Sequence, residues 1–216
     1  MKTVIFSFLT VLLLTSSALQ AQDDKFRFSV LGGLNLQNIN GKDFDGDKLE
    51  NKLLPGFHAG VNALVNIAPD FYFQPGLIFS TKGAKDDESD TRIKVSYVEL
   101  PLNLLYRADL GEGKVLLGFG PYAAFGIGGK LKDEDGTSYD IEFKNKITGT
   151  NGQSFYLKRL DMGGNIFFGY EMASGLFATL NAQLGMLNIY PEYEAFEDSE
   201  ISMKNTGFGL SLGYRF

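Results

Sequence analysis

Thr206-Gly207-Phe208-Gly209-Leu210-Ser211-Leu212-Gly213-Tyr214-Arg215-Phe216 closes the chain and decides how the rest is read. Taken at every second residue, one set is Thr206, Phe208, Leu210, Leu212, Tyr214 and Phe216, and the other is Gly207, Gly209, Ser211, Gly213 and Arg215. Successive side chains of an extended strand point to opposite faces, so this is a strand with one apolar face and one small or polar face. The same split recurs upstream. Phe57, Ala59, Val61, Ala63, Val65 and Ile67 oppose His58, Gly60, Asn62, Leu64 and Asn66. Leu176, Ala178, Leu180, Ala182, Leu184 and Met186 oppose Phe177, Thr179, Asn181, Gln183 and Gly185. Between Arg159 and Glu171 the apolar set is Leu160, Met162, Ile166, Phe168 and Tyr170, against Arg159, Asp161, Asn165 and Glu171. Val98, Leu100, Leu102, Leu104 and Tyr106 face away from Glu99, Asn103 and Arg107, and segments near 26–36, 70–81 and 113–130 bring the expected strands to eight.

A water-soluble sandwich buries its apolar face and fills the other with Lys, Glu and Asp. Here the second face is mostly Gly, Ser, Asn, Gln and Ala with a few charges, a set that fits a narrow lumen. The apolar face is then expected to meet lipid. Connection lengths point the same way. Long polar loops at about 37–55, 82–92, 131–156 and 189–204 alternate with short turns at 68–69, 109–112 and 173–175. Outer-membrane barrels put short turns on the periplasmic side and long loops outside, so with both termini periplasmic all four long loops share one side. Each apolar stripe reaches the ~9–11 residues that a tilted strand needs to cross hydrocarbon. Phe26, Phe57, Phe71, Tyr106, Phe125, Tyr170 and Tyr214 sit near strand ends, where rings anchor at headgroups. The expected fold is all-β: an eight-stranded antiparallel up-and-down transmembrane β-barrel in the cell outer membrane.

At the other end, Lys2, the apolar run Val4–Leu14 and small residues up to Ala21 form the pattern of a secretory signal peptide. Residues 1–21 are expected to be removed before Gln22, leaving 22–216 as a single barrel domain. No later apolar run is long enough for a membrane-spanning helix. The chain has no cysteine, so a closed sheet rather than disulfides must supply stability. A net charge of −6 argues against a nucleic-acid partner.

Tyr97-Val98-Glu99-Leu100-Pro101-Leu102, followed by Gly118-Phe119-Gly120-Pro121-Tyr122, resembles the PorT-related outer-membrane β-barrel family of Bacteroidetes. The resemblance spans the whole mature chain and implies an eight-stranded barrel in a functionally broad family, some of whose members serve secretion or gliding. Tyr214-Arg215-Phe216 resembles the aromatic terminus by which the barrel assembly machinery recognises its clients, making Tyr214 and Phe216 the expected assembly signal.

Arg27, Glu99, Arg107, Arg159, Asp161, Glu171 and Arg215 fall on the polar faces and are expected to form one ion-pair network that plugs the lumen. His58, the single histidine, could serve a nucleophile with Ser80 and Glu99 nearby, but a hydrogen-bonded lumen histidine is the default and no catalytic residue is assigned. Asp43-Phe44-Asp45-Gly46-Asp47 resembles the start of a calcium loop without its downstream ligand, and Asp86-Asp87-Glu88 and Asp133-Glu134-Asp135-Gly136 read as solvated charge, so neither metal nor cofactor is expected. The expected role is structural or interactive, through the outer loops, with lipid and a protein as partners. A narrow channel, a secretion or gliding accessory, and an exported soluble barrel of lipocalin type with an apolar lumen are the alternatives.

Overall fold

The computed structural model describes residues 26–148, 155–194 and 201–216; the expected signal segment and its cleavage point lie outside the described residues. Eight long strands form the wall: β1 Phe26–Lys42, β2 Leu54–Ala68, β3 Phe71–Asp86, β4 Arg92–Leu110, β5 Gly113–Lys132, β6 Leu160–Glu171, β7 Leu176–Gly185 and β8 Ser202–Arg215. Each pairs antiparallel with the next, and β8 returns to β1 in a register running from Ser29↔Arg215 to Lys42↔Ser202. Closure leaves no unpaired edge, which is the condition for a sheet to sit in lipid.

The periplasmic turns are as short as the sequence implies. Asp70 (φ 62°), Gly111 (φ 63°) and Gly175 (φ 88°) take the left-handed conformation that reverses the chain within a few residues. On the other side the strands overrun the expected loops. β4 has 19 residues and β5 has 20, about twice what hydrocarbon requires. The expected loop 82–92 contracts to a hairpin tip at 87–91, because Lys82 pairs with Val95 and Lys85 with Arg92. The loop expected at 37–55 likewise shrinks to 43–53, within which Asn51–Lys52 pairs with β3. Charged residues there signal a wall standing in water above the membrane, not irregular chain.

Outside, Leu34, Ile67, Leu77, Phe119, Ile166, Phe168, Leu184, Phe208 and Leu212 each expose more than half of their surface. So continuous an apolar belt far exceeds the few hundred Å² that a soluble monomer tolerates, and it excludes the soluble lipocalin-type alternative. Inside, β4 samples the lumen in order: Val95, Tyr97, Glu99, Pro101, Asn103, Leu105 and Arg107 are all buried, alternating with outward Leu100, Leu102 and Tyr106. The lumen is thus layered rather than uniformly polar and small. Leu64, Leu105, Leu116 and Phe177 make an apolar belt in its lower half. Glycine makes room for the large rings: a Cβ on Gly118 would lie 2.2 Å from Phe167, and one on Gly213 2.2 Å from Phe177.

Candidate functional site

The lumen charges form two clusters, not one network. In the upper cluster, Lys82 projects inward from β3, almost fully buried, with Nζ 3.2 Å from Glu99 Oε1 and 3.2 Å from Asp161 Oδ2. Its ammonium also lies 4.1 Å from the centre of the Tyr122 ring and 5.6 Å from that of Tyr97. Asn205 Nδ2 donates to Asp161 at 3.0 Å and Gln183 Nε2 to Glu99 at 3.0 Å. Two carboxylates thus meet one ammonium, and neutral donors take up the remaining lone pairs, as buried ions require.

The lower cluster has the opposite balance. Arg107 grips Glu171 bidentately, its Nε donating to Oε2 at 3.1 Å and its Nη2 to Oε1. Arg215 Nε stands 2.8 Å from the same Oε2, and its guanidinium lies 5.3 Å from the centre of the Phe177 ring. Arg27 is exposed at the periplasmic mouth, where it lines a cavity together with Arg107, Glu171 and Arg215.

Arg159 is outside the lumen. It precedes the first residue of β6, and its exposed guanidinium lies over the Phe125 and Phe143 rings at 5.2 and 5.0 Å. Extending the β6 alternation one residue beyond the sheet gave Arg159 its inward direction on paper. Lys82 was missed for the converse reason, its charge placing it in an expected loop. Continuing the two-residue period from Gln74 through Gly76, Ile78 and Ser80 would have turned Lys82 inward.

Between the clusters lies a cavity of ≈ 100 Å³, lined by polar Asn62, Gln74, Asn103 and His58 and by apolar Leu116 and Phe177 among others. This has room for about three waters. His58 is bonded at both ring nitrogens, Nδ1 to Asn35 Oδ1 and Nε2 to Ser211 Oγ at 2.7 Å. Ser80 reaches it only through Asn35, whose Nδ2 donates to Ser80 Oγ at 3.2 Å.

Above Lys82 the barrel is capped. Ile141, Leu157 and Ile189, from the connections after β5 and β7, pack on Val95, Tyr97, Tyr122 and Ala124 as a buried apolar layer at the outer end of the lumen. Residues 138–143 hold this cap by pairing with β5 on one side and with 155–157 on the other. Over the cap, Phe44, Tyr190 and Tyr193 form a chain of rings with centroids 6.5 and 5.5 Å apart. In the acidic loops the carboxylates brace their own backbone: Asp43 accepts the N–H groups of Asp45 and Asp47, each at 2.9 Å. Asp86 Oδ1 accepts from the backbone and hydroxyl of Ser89, which holds this extracellular carboxyl below its ordinary range, the backbone N–H of Ser89 being the largest cause. Among the described residues no group of three or more His, Cys, Asp or Glu could hold a metal ion.

A scan against protein families matches residues 6–216 to the outer membrane protein β-barrel domain. The chain belongs to that family. A member of the outer membrane β-barrel family whose wall carries a lipid-facing belt resides in the outer membrane, and its fold and location follow together. No curated protein matches the sequence. Among solved structures, this family member is similar to Ail, the attachment invasion locus protein of Yersinia pestis, crystallised with the heparin analogue sucrose octasulfate. The two share 14% identity over 89% of this chain and 99% of Ail, with a TM-score of 0.44. It is also similar to Neisserial surface protein A, at 15% identity over 87% of this chain and 95% of that one, with a TM-score of 0.44. AlkL, solved by solid-state NMR in lipid bilayers, shares 12% identity over 90% of this chain and 93% of its own, with a TM-score of 0.33.

Proposed function

We propose that this outer-membrane barrel is a closed, non-catalytic scaffold that acts by presenting its extracellular loops to a protein partner. The observation that carries the reading is the apolar cap. Ile141, Leu157 and Ile189 form a buried apolar layer directly above the Lys82 cluster, so a path for water or ions would need the cap to leave. Beyond the cap, the loops offer rings and charge: Phe44, Tyr190 and Tyr193 beside Lys158–Glu192 and Lys146–Glu194 pairs. Aromatic residues ringed by polar groups are the usual anchors of protein contacts. The likeness to PorT-related barrels of Bacteroidetes belongs to the same proposal. Tyr97, Glu99 and Tyr122, which carry that likeness, are the residues that surround Lys82. Barrel assembly machinery recognising Tyr214 and Phe216 completes the set of proposed partners.

A second reading, a narrow channel, draws support from the cavity between the ion clusters, whose lining mixes amides with apolar side chains. Planar-bilayer recording separates the two. The closed-scaffold reading expects silence from the native barrel, steps appearing only when Ile189→Asp loosens the cap, and loop-dependent crosslinking to a cell-surface protein through Tyr190. Steady single-channel steps from the native protein that change with Glu99→Gln would overturn it.

A further inference from the structure

We infer that the periplasmic mouth of the barrel binds a small oxyanion, a phosphate or carboxylate group, against Arg215 and Arg107. Both guanidinium groups are buried, and both are served by the one carboxylate of Glu171. That leaves a surplus positive charge on two side chains that expose little surface of their own, an arrangement that is costly unless an anion offsets it. The imbalance has a definite address. Arg215 is only 4% exposed, and its buried Nη1 has no hydrogen-bond partner in the protein. The upper cluster, by contrast, surrounds its surplus carboxylate with donors from Asn205 and Gln183.

Space is present where the charge calls for a ligand. A cavity of ≈ 270 Å³ opens at this mouth, bordered by four cations, Arg27, Arg107, Lys114 and Arg215, and three carboxylates, Asp109, Glu112 and Glu171. Lys114 is already paired with Asp109 at the rim, so the surplus belongs to the arginines deeper in. A planar guanidinium presents parallel N–H groups that match two oxygens of a phosphate or carboxylate, whereas a halide would use only one direction. The belt of Leu64, Leu105, Leu116 and Phe177 lies above the site, which makes the periplasm its source of ligand.

Arg215→Met tests the assignment without leaving a stranded charge, because Arg107 and Glu171 remain as a one-to-one pair. The folded full-length barrel in non-ionic micelles is titrated with inorganic phosphate against sodium chloride of equal ionic strength. The urea midpoint is read from the folded band on gels, and the ³¹P linewidth is followed in parallel. Saturable stabilisation and phosphate line broadening are expected in the native barrel. Both should be lost in Arg215→Met, weakened in Arg215→Lys and kept in Lys114→Gln. A parallel arm in phosphatidylcholine vesicles, with or without phosphatidic acid, tells a headgroup phosphate from a free one: Arg215-dependent protection confined to phosphatidic acid names the lipid as source. Absence of a saturable shift in every arm, or an equal shift in the native and Arg215→Met proteins, would overturn the site.

Discussion

Lys82→Met is the sharpest perturbation of the lumen, because it removes the one cation among the described residues that pairs with both Glu99 and Asp161. Lys82 and Asp161 side chains have no exposed surface, and that of Glu99 has 3%, so bulk water does not replace the ammonium. Asn205, Gln183 and Tyr122 remain as donors, but none carries charge. Removing one partner from a buried ion set costs ~3–5 kcal/mol, and a folded-to-unfolded ratio changes tenfold for each ~1.4 kcal/mol. The triple variant Lys82→Met/Glu99→Gln/Asp161→Asn removes the whole set while keeping its shape. It is expected to fall within ~1 kcal/mol of the native barrel, since neutral replacement of a complete buried ion set is often harmless. The assay is reversible urea unfolding in lipid vesicles, followed by the slower or faster gel migration of folded and unfolded chain, as the protein has no tryptophan to report on folding. A single variant that loses less than ~0.5 kcal/mol, like an ordinary surface change, would refute the reasoning. So would a triple variant as unstable as the single one.

Other outcomes follow from the same geometry. Glu171→Gln leaves Arg107 and Arg215 facing each other, so it should cost ~3–5 kcal/mol in urea unfolding, more than Arg215→Met, which leaves a balanced pair. Leu180→Lys, on the lipid face in register with Leu210, should cost ~2–4 kcal/mol, whereas Asn40→Lys on the exposed wall near the loops should be nearly silent. Asp86 has its carboxyl depressed by Ser89, so the contribution of that contact is complete above the ordinary carboxylate range and lost as pH falls through the lowered value. The protection factors of amides at 87–91, taken relative to the intrinsic exchange rate at each pH, should therefore fall on acidification below about pH 4, and in Asp86→Ala they should be low at every pH. Tyr214→Ala/Phe216→Ala should slow insertion in cells while leaving folding into micelles nearly unchanged.

Period-two alternation made the wall legible, because a closed sheet in lipid allows no exception to outward apolar side chains across the hydrocarbon. Phe208, Leu210 and Leu212 lie outside, and Ser211 and Arg215 inside, as that rule requires. Strand ends were less legible. Above the bilayer the outer face meets water, so Lys85 and Asp86 can stand in a strand and look like loop. That same region hid Lys82, the centre of the upper cluster. The layering inside was hidden for a different reason: Phe177 and Phe167 break the polar pattern of the inward face where Gly213 and Gly118 on neighbouring strands admit their rings, and such juxtapositions need the register. The cap was invisible because Ile141, Leu157 and Ile189 are distant in sequence and meet only at the outer end of the lumen.

Spin labels on single cysteines at Leu180, Leu210 and Phe168, compared with labels at Thr179 and Gln183, measure the direction of the two stripes in a native-like bilayer. Outward lipid contact predicts high collision rates with oxygen and low rates with a water-soluble nickel chelate at the first three positions, and low rates with both reagents at the other two. Leu180 and Leu210 shielded from oxygen, with Thr179 open to the chelate, would contradict the barrel's orientation and everything built on it.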